Sequence, residues 1–129
     1  MTQFRLSMLM LAPAIAIVAP AAAQAPGAPA TVPIAVSSFD IVPSTIHLAA
    51  GQPVRLVFSN TSRSSHDFTA PAFFARAAGV TGPIEGGEVE LAGHSSASVM
   101  LIPARGTYKA KCSHFGHAML GMSATIVVD

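Results

Sequence analysis

The C-terminal stretch GTYKAKCSHFGHAMLGMSATIVVD is rich in side chains that bind soft and borderline metal ions. It holds the only cysteine of the chain, Cys112, followed by His117 after four intervening residues and by Met122 after four more. Gly116 and Gly121 directly precede His117 and Met122, so the backbone can turn sharply at both points. The spacing predicts a loop in which a thiolate, an imidazole and a thioether converge.

A fourth donor, His66, lies in the segment NTSRSSHDF, just beyond a predicted strand that ends near Asn60. Because loops from different strands gather at one end of a β-sandwich, His66 can share that end with Cys112. Two imidazoles, a thiolate and a weak thioether form the ligand set of electron-transfer copper sites. Zinc usually takes four good ligands and methionine is a poor one, so the set favours copper.

Two neighbouring side chains leave alternatives open in the same loop. Met119 is a rival of Met122 as the axial donor, but it follows His117 by only two residues and is expected on the rim. His114 is interpreted as an exposed loop residue, although its spacing to His117 also suits a zinc site or an accessory copper site.

The N-terminus has the pattern of a secretory signal peptide. Arg5 precedes an apolar run from Leu6 to Val18, and small residues ending in Ala23 form an A-x-A type cleavage site. The run is shorter than the roughly 20 residues of a membrane-spanning helix. We predict a signal peptide over residues 1–23, a flexible Pro- and Gly-containing leader over residues 24–31, and no membrane span after cleavage.

Charge and cysteine content narrow the possible partners and the compartment. The chain has seven Lys and Arg and six Asp and Glu, and loss of Arg5 with the signal peptide balances them. This balance argues against a nucleic-acid partner. Export implies an oxidising compartment, where a lone Cys112 is either buried and inert or held as a thiolate by a metal.

Short apolar runs, separated by turn residues about every ten positions, predict an all-β sandwich or barrel of seven or eight strands over residues 32–129. In PVRLVFSN, for example, apolar residues alternate with Arg55, as in a half-buried strand. One short helix is predicted in PAFFARAAG, with Pro71 at its first position and Gly79 as its C-cap. Phe73 or Phe74 is expected to pack against a sheet.

Two segments resemble the halves of the cupredoxins, the small blue-copper proteins. They are FDIVPSTIHLAAGQPVRLVFSNTSRSSHDF and GTYKAKCSHFGHAMLGMSATIVV. The resemblance covers about residues 32–129 and is closest to bacterial periplasmic members. It implies an eight-stranded Greek-key sandwich with one type 1 copper ion, and the family's ligands correspond to His66, Cys112, His117 and Met122.

The resemblance implies a monomeric, periplasmic one-electron carrier in which copper cycles between Cu(I) and Cu(II). Its partner would be a cytochrome or a copper enzyme. The alternative is a module for copper tolerance, sequestration or delivery to a copper acceptor. Enzymatic functions are disfavoured, because a binuclear copper site needs a second cysteine and a trinuclear centre needs clustered histidine pairs, which the sequence lacks.

Three features around the predicted site carry further expectations. Asp67 stands where several family members have Asn, and its carboxylate would stabilise Cu(II) and lower the reduction potential. Asn60 and the backbone near Asp67 are expected to hydrogen-bond to the loop of Cys112. His117 is expected to lie at the protein surface as the electron exit, within an apolar patch. The predicted patch residues are Phe115, Ala118, Met119 and Leu120.

Overall fold

The computed structural model describes residues 27–114, 116–117 and 120–129. The predicted signal peptide, most of the leader, and three loop residues of the predicted patch (Phe115, Ala118 and Met119) lie outside the described residues. The first strand begins at Ala30, within the range predicted as leader. No helix in the described ranges is long and apolar enough to cross a membrane.

In the described residues, ten strands form two five-stranded sheets that enclose a common apolar core, to which one short helix adds two buried residues. In chain order they are β1 (Ala30–Ser37), β2 (Asp40–Val42), β3 (Thr45–Leu48), β4 (Val54–Asn60), β5 (His66–Thr69), α1 (Pro71–Arg76), β6 (Ala78–Thr81), β7 (Glu88–Leu91), β8 (Ser96–Ile102), β9 (Gly106–Lys111) and β10 (Ser123–Val128). The first sheet has the order β2-β1-β4-β8-β6 and the second β3-β10-β9-β5-β7. The predicted all-β sandwich is confirmed.

The strand count of the described residues exceeds the seven or eight predicted, for two reasons. The sequence predicts one strand in VPIAVSSFDI, but Phe39 has φ of 66° and turns the chain there, so the segment forms β1 and β2. A non-glycine residue is rarely found in this left-handed region, so the turn has no sequence signal. The additional edge strand β6 pairs with β8 and has no alternating pattern of its own.

The core follows the predicted alternation in β4. Val54, Leu56 and Phe58 are buried, whereas Arg55 is exposed. The ring of Phe58 lies 4.8 Å from that of Phe68 in the opposite sheet. An aromatic pair of this kind contributes about 0.5–1.5 kcal/mol beyond the area it buries, so it helps to hold the two sheets together.

The helix α1 is shorter than predicted. Pro71 occupies its N-terminal turn, and both Phe73 and Phe74 are buried, as expected. The predicted C-cap at Gly79 is wrong, because the chain becomes extended at Ala77 and Gly79 lies in β6. Pairing of β6 with β8 therefore ends the helix before the glycine is reached.

Candidate metal centre

The predicted donors are brought to one end of the sandwich by the ends of three strands. β5 begins at His66, β9 ends one residue before Cys112, and β10 begins one residue after Met122. Side chains alternate along β9, so that Tyr108, Ala110 and Cys112 are all buried toward the core. Residues far apart in sequence thus meet at one pole.

The loop between β9 and β10 is closed by backbone hydrogen bonds. The N–H of Cys112 donates to the carbonyl of Met122 over 3.0 Å, and that of Met122 donates to His117 over 3.2 Å. Gly116 has φ of 78° and Gly121 has φ of 95°, so the left-handed turns predicted from the two glycines are present. Backbone hydrogen bonds and the two glycine turns therefore close this loop.

Three donor atoms face one another at this pole. The Nδ1 atoms of His66 and His117 are 3.3 Å apart, and the Sγ of Cys112 lies 3.9 Å and 3.4 Å from them. Ligands bound about 2.0–2.3 Å from one ion in trigonal coordination are about 3.6 Å apart. The triangle of nitrogen and sulfur atoms has the size that a single metal ion requires.

Met122 follows His117 in the same loop and is fully buried. Its backbone is tied to both Cys112 and His117 by the hydrogen bonds that close the loop. A thioether at this position is excluded from water, as an axial donor would be. Its rival in the sequence, Met119, lies outside the described residues.

Burial and hydrogen bonding act in opposite directions on Cys112. Burial raises the pKa of this thiol above its ordinary value of 9.0, and backbone N–H groups of Asp67 and His114 that hydrogen-bond to the sulfur oppose the rise in pKa. Both N–H groups stabilise the thiolate. The site is thus built to accept a thiolate, but burial keeps the metal-free sulfur protonated at neutral pH.

His66 is held neutral by its surroundings. Burial lowers its pKa below 6.5, and proximity to His117 and His114 lowers that pKa further, against the opposing effect of Asp67 and Glu90. Its Nε2 is buried without a hydrogen-bond partner among the described residues, whereas Nδ1 faces the other donors. A neutral imidazole with Nδ1 directed at the cluster is ready to bind a metal.

We expect the metal-free protein to be most stable between about pH 6.5 and 9.0. Because the pKa of His66 is lower in the folded protein, the unfolded chain takes up a proton on this residue at a higher pH than the folded protein does. Stability therefore falls as the pH drops below 6.5. Because the pKa of Cys112 is higher in the folded protein, its thiol ionises at a lower pH in the unfolded chain. Stability therefore falls above pH 9.0. Thermal unfolding from pH 5 to 10 measures both limbs.

Two variants show which side chain causes the loss of stability at acid pH and which causes it at alkaline pH. His66→Gln should flatten the acid limb alone, and Cys112→Ala should flatten the alkaline limb alone. A profile that keeps both limbs in both variants would show that other groups control the pH dependence.

Two contacts in the structure correct or extend the predicted surroundings of the site. The side chain of Asn60 does not reach the loop of Cys112; its amide donates to the carbonyls of Ser64, Leu91 and Ala92. The predicted contribution of the backbone near Asp67 is present, because that N–H bonds to the thiol sulfur.

Phe39 is a part of the site that the sequence did not indicate. Its ring packs edge-on against His117, with centroids 5.6 Å apart and planes at 88°. Phe39 is 46% exposed and Leu120 is 61% exposed, while His117 is half-buried. His117 therefore lies between the buried sulfur and an apolar surface.

The sequence model of the cupredoxin-like domain matches residues 7–128. The chain belongs to the cupredoxin-like family. This finding confirms the resemblance drawn from the two sequence segments. No curated protein sequence matches the chain significantly.

Solved cupredoxins share the fold at low sequence identity. Auracyanin B is 24% identical, with a TM-score of 0.58 over 77% of this chain and 88% of its own. Dithionite-reduced auracyanin from Roseiflexus castenholzii is 21% identical, with a TM-score of 0.60 over 80% and 99%. Auracyanin A, a "blue" copper protein from Chloroflexus aurantiacus, is 23% identical, with a TM-score of 0.57 over 79% and 100%.

Asp67 is the feature in which this cupredoxin departs from the residue expected at its position. Its carboxylate is fully buried and accepts hydrogen bonds from the Ser113 N–H over 2.8 Å and from the hydroxyls of Ser113 and Thr69. Asp67 therefore fastens the start of the Cys112 loop to β5. These hydrogen bonds, to one backbone N–H and two hydroxyls, hold the Asp67 carboxylate next to the site.

Proposed function

We propose that this cupredoxin binds one copper ion through His66, Cys112, His117 and Met122, and that it carries single electrons. The observation that supports the proposal most directly is the triangle of two Nδ1 atoms and one Sγ, with edges of 3.3, 3.4 and 3.9 Å. Its members come from two segments separated by 46 residues, yet their donor atoms face one another.

The chemistry of the donors favours copper over zinc. One thiolate and two imidazoles leave the fourth place to Met122, and a thioether is a poor ligand for zinc. Copper bound to this set supplies a one-electron couple between Cu(I) and Cu(II). The backbone hydrogen bond between Cys112 and Met122 holds the loop rigid, which favours electron transfer with little rearrangement.

The positions of the aromatic residues support electron exit through His117. Its ring separates the buried sulfur of Cys112 from solvent and touches the exposed ring of Phe39. Leu120 adds a second exposed apolar side chain at the same loop. A small apolar surface of this kind suits brief docking with a cytochrome or a copper enzyme, since transient redox complexes use small interfaces.

The experiment that tests this function is the addition of Cu(II) to the purified metal-free protein, followed by visible spectroscopy. One equivalent should produce an intense thiolate-to-copper charge-transfer band, and ascorbate should bleach it reversibly. If no such band forms, or if it saturates at a stoichiometry other than one, the proposed site is wrong.

Metal exchange distinguishes the carrier from a protein that handles copper. The carrier should keep its copper against a Cu(I) chelator while it exchanges electrons rapidly with a cytochrome. Fast release of Cu(I) with slow electron exchange would instead support tolerance or delivery. Because the side chain of His114 is directed at Asp67 and Glu90, not at Cys112, the described contacts favour the carrier.

The proposed location is the periplasm, as a monomer. It follows from the signal peptide predicted over residues 1–23 and from the lone thiol, which is fully buried at Cys112. Burial protects that thiol from oxidation in an oxidising compartment. N-terminal sequencing of the exported protein should give Gln24 as the first residue.

The Asp67→Asn substitution should raise the reduction potential of the copper-loaded protein. Removal of this buried negative charge beside the site destabilises Cu(II) relative to Cu(I), by on the order of 1–3 kcal/mol. The amide oxygen of Asn can still accept the Ser113 N–H, so the loop is kept in place. Redox titration of this variant, with Glu85→Gln as the control, measures the effect; an unchanged or lower potential would contradict it.

A further inference from the structure

A second group of metal-binding side chains lies on the outer face of the second sheet. Asp67 and Glu90 are directly opposite each other in the β5–β7 pair, and His114 follows shortly after Cys112 in the loop. One donor atom from each of the three lies within 4.8 Å of the others. We propose that Asp67, Glu90 and His114 form a second site, which binds a divalent cation of the Zn²⁺ class.

The spacing of the donor atoms fits a tetrahedral ion better than it fits hydrogen bonding. The Nε2 of His114 lies 3.3 Å from the Oε1 of Glu90 and 3.5 Å from the Oδ2 of Asp67. A charge-assisted hydrogen bond between nitrogen and carboxylate is about 2.7–2.9 Å long. Two ligands about 2.1 Å from one tetrahedral Zn²⁺ are about 3.4 Å apart, which agrees with both separations.

Among the described residues, the carboxylates at this face have no lysine or arginine in direct contact, although Lys111 lies opposite Thr69 on the same face. Like charges directly opposite in an antiparallel pair are destabilising, and β7 adds Glu88 opposite Thr69 on the same face. No lysine or arginine comes within 4.0 Å of these carboxylates in the part of the chain that the structure describes. A bound divalent cation would offset this repulsion between the paired carboxylates of Asp67 and Glu90.

One of the three donors is held rigidly, and the other two are partly exposed to solvent. Asp67 is fully buried, and its orientation is set by hydrogen bonds from Ser113 and Thr69. The side chains of His114 and Glu90 are 32% and 54% exposed. Zinc sites with three protein ligands commonly complete their coordination with water, and the exposed side leaves room for it.

His114 links this site to the one proposed for copper. Its ring stacks on His117, with centroids 5.4 Å apart and planes at 30°, while its Nε2 points toward the two carboxylates. A cation bound there lies one imidazole away from the copper ligands. One consequence rests on the proposed copper function. Zn²⁺ bound at the second site should raise the reduction potential of the copper site, since a nearby positive charge disfavours Cu(II).

Zinc binding is best measured where the first site has lost its thiolate. We expect Cys112→Ala to bind one Zn²⁺ per chain by isothermal titration calorimetry. Adding His114→Gln or Glu90→Gln to this variant should weaken binding about tenfold or more, because each removes a ligand. Adding Glu85→Gln, a nearby acidic residue outside the trio, should leave the affinity unchanged.

The intact chain provides the second measurement if Cys112→Ala does not fold. Copper-loaded protein, dialysed against Zn²⁺, should hold one copper and one zinc by elemental analysis, and His114→Gln should hold copper alone. Zinc that is absent from every variant, or that survives both His114→Gln and Glu90→Gln, overturns the second site. Loss of the copper band with zinc binding retained would instead count against the copper function alone.

Discussion

Cys112→Ala is expected to abolish the charge-transfer band and to weaken Cu(II) binding by more than about 100-fold. The only thiolate donor is lost, and changes to outer contacts alone cost about 10–100-fold in metal affinity. The substitution leaves the backbone hydrogen bond between residue 112 and Met122 in place, so the loop can still form. Visible spectroscopy and competition with a chelator measure the two effects.

Met122→Leu is the matched control for this prediction. It keeps the volume of the buried side chain but removes the thioether, which is the weak member of the set. The band should therefore persist with altered position and relative intensity. A band that survives in Cys112→Ala, or that vanishes equally in both variants, would contradict the assignment of the thiolate as the source of the colour.

Asn60→Ala should lower the free energy of unfolding by roughly 2–4 kcal/mol, because it removes several hydrogen bonds at once and takes the side-chain donor from the buried carbonyl of Leu91. The Asn60 side chain donates to three carbonyls, at Ser64, Leu91 and Ala92, over 2.8–3.1 Å. Its oxygen accepts the N–H and the hydroxyl of Ser62. Urea unfolding of the metal-free protein should show a lower midpoint with an unchanged slope.

Ser62→Ala tests whether the loss comes from the buried amide. It removes one hydroxyl from the same turn but leaves the three hydrogen bonds that the Asn60 amide donates, so it should cost less than about 1 kcal/mol. Equal losses in the two variants would mean that the turn, and not the amide, carries the stability. Because this turn leads directly into His66, a loosened Asn60→Ala turn should also weaken copper binding.

The proposed donor residues stand out in the sequence because their types are distinctive. Only one cysteine exists, glycines mark the two turns, and Val54, Leu56 and Phe58 show the inward face of a strand. These signals are local. They depend on side-chain chemistry and on the period of a strand, so they predicted the sandwich and the chemistry of its pole.

Features that depend on distant parts of the chain were missed. The turn at Phe39 needs a left-handed non-glycine residue, and β6 exists only through its pairing with β8. Asn60 was assigned to the wrong partners, because its side chain follows the 60–66 turn to Leu91 and not to the Cys112 loop. The meeting of Glu90 with Asp67 depends on the register between β5 and β7, which the sequence does not encode locally.

The hydrogen bond from Cys112 to Met122 makes the loop at this pole an insert that can be exchanged. It continues the ladder in which Lys111 pairs with Ser123, so the two strands remain joined whatever residues lie between them. A shorter or longer loop from another family member could then be grafted between Ser113, which keeps its hydrogen bonds to Asp67, and Met122 without repacking the sandwich. Changes in the colour and potential of such chimeras would arise in the grafted loop, while their unfolding free energy should stay close to that of the parent.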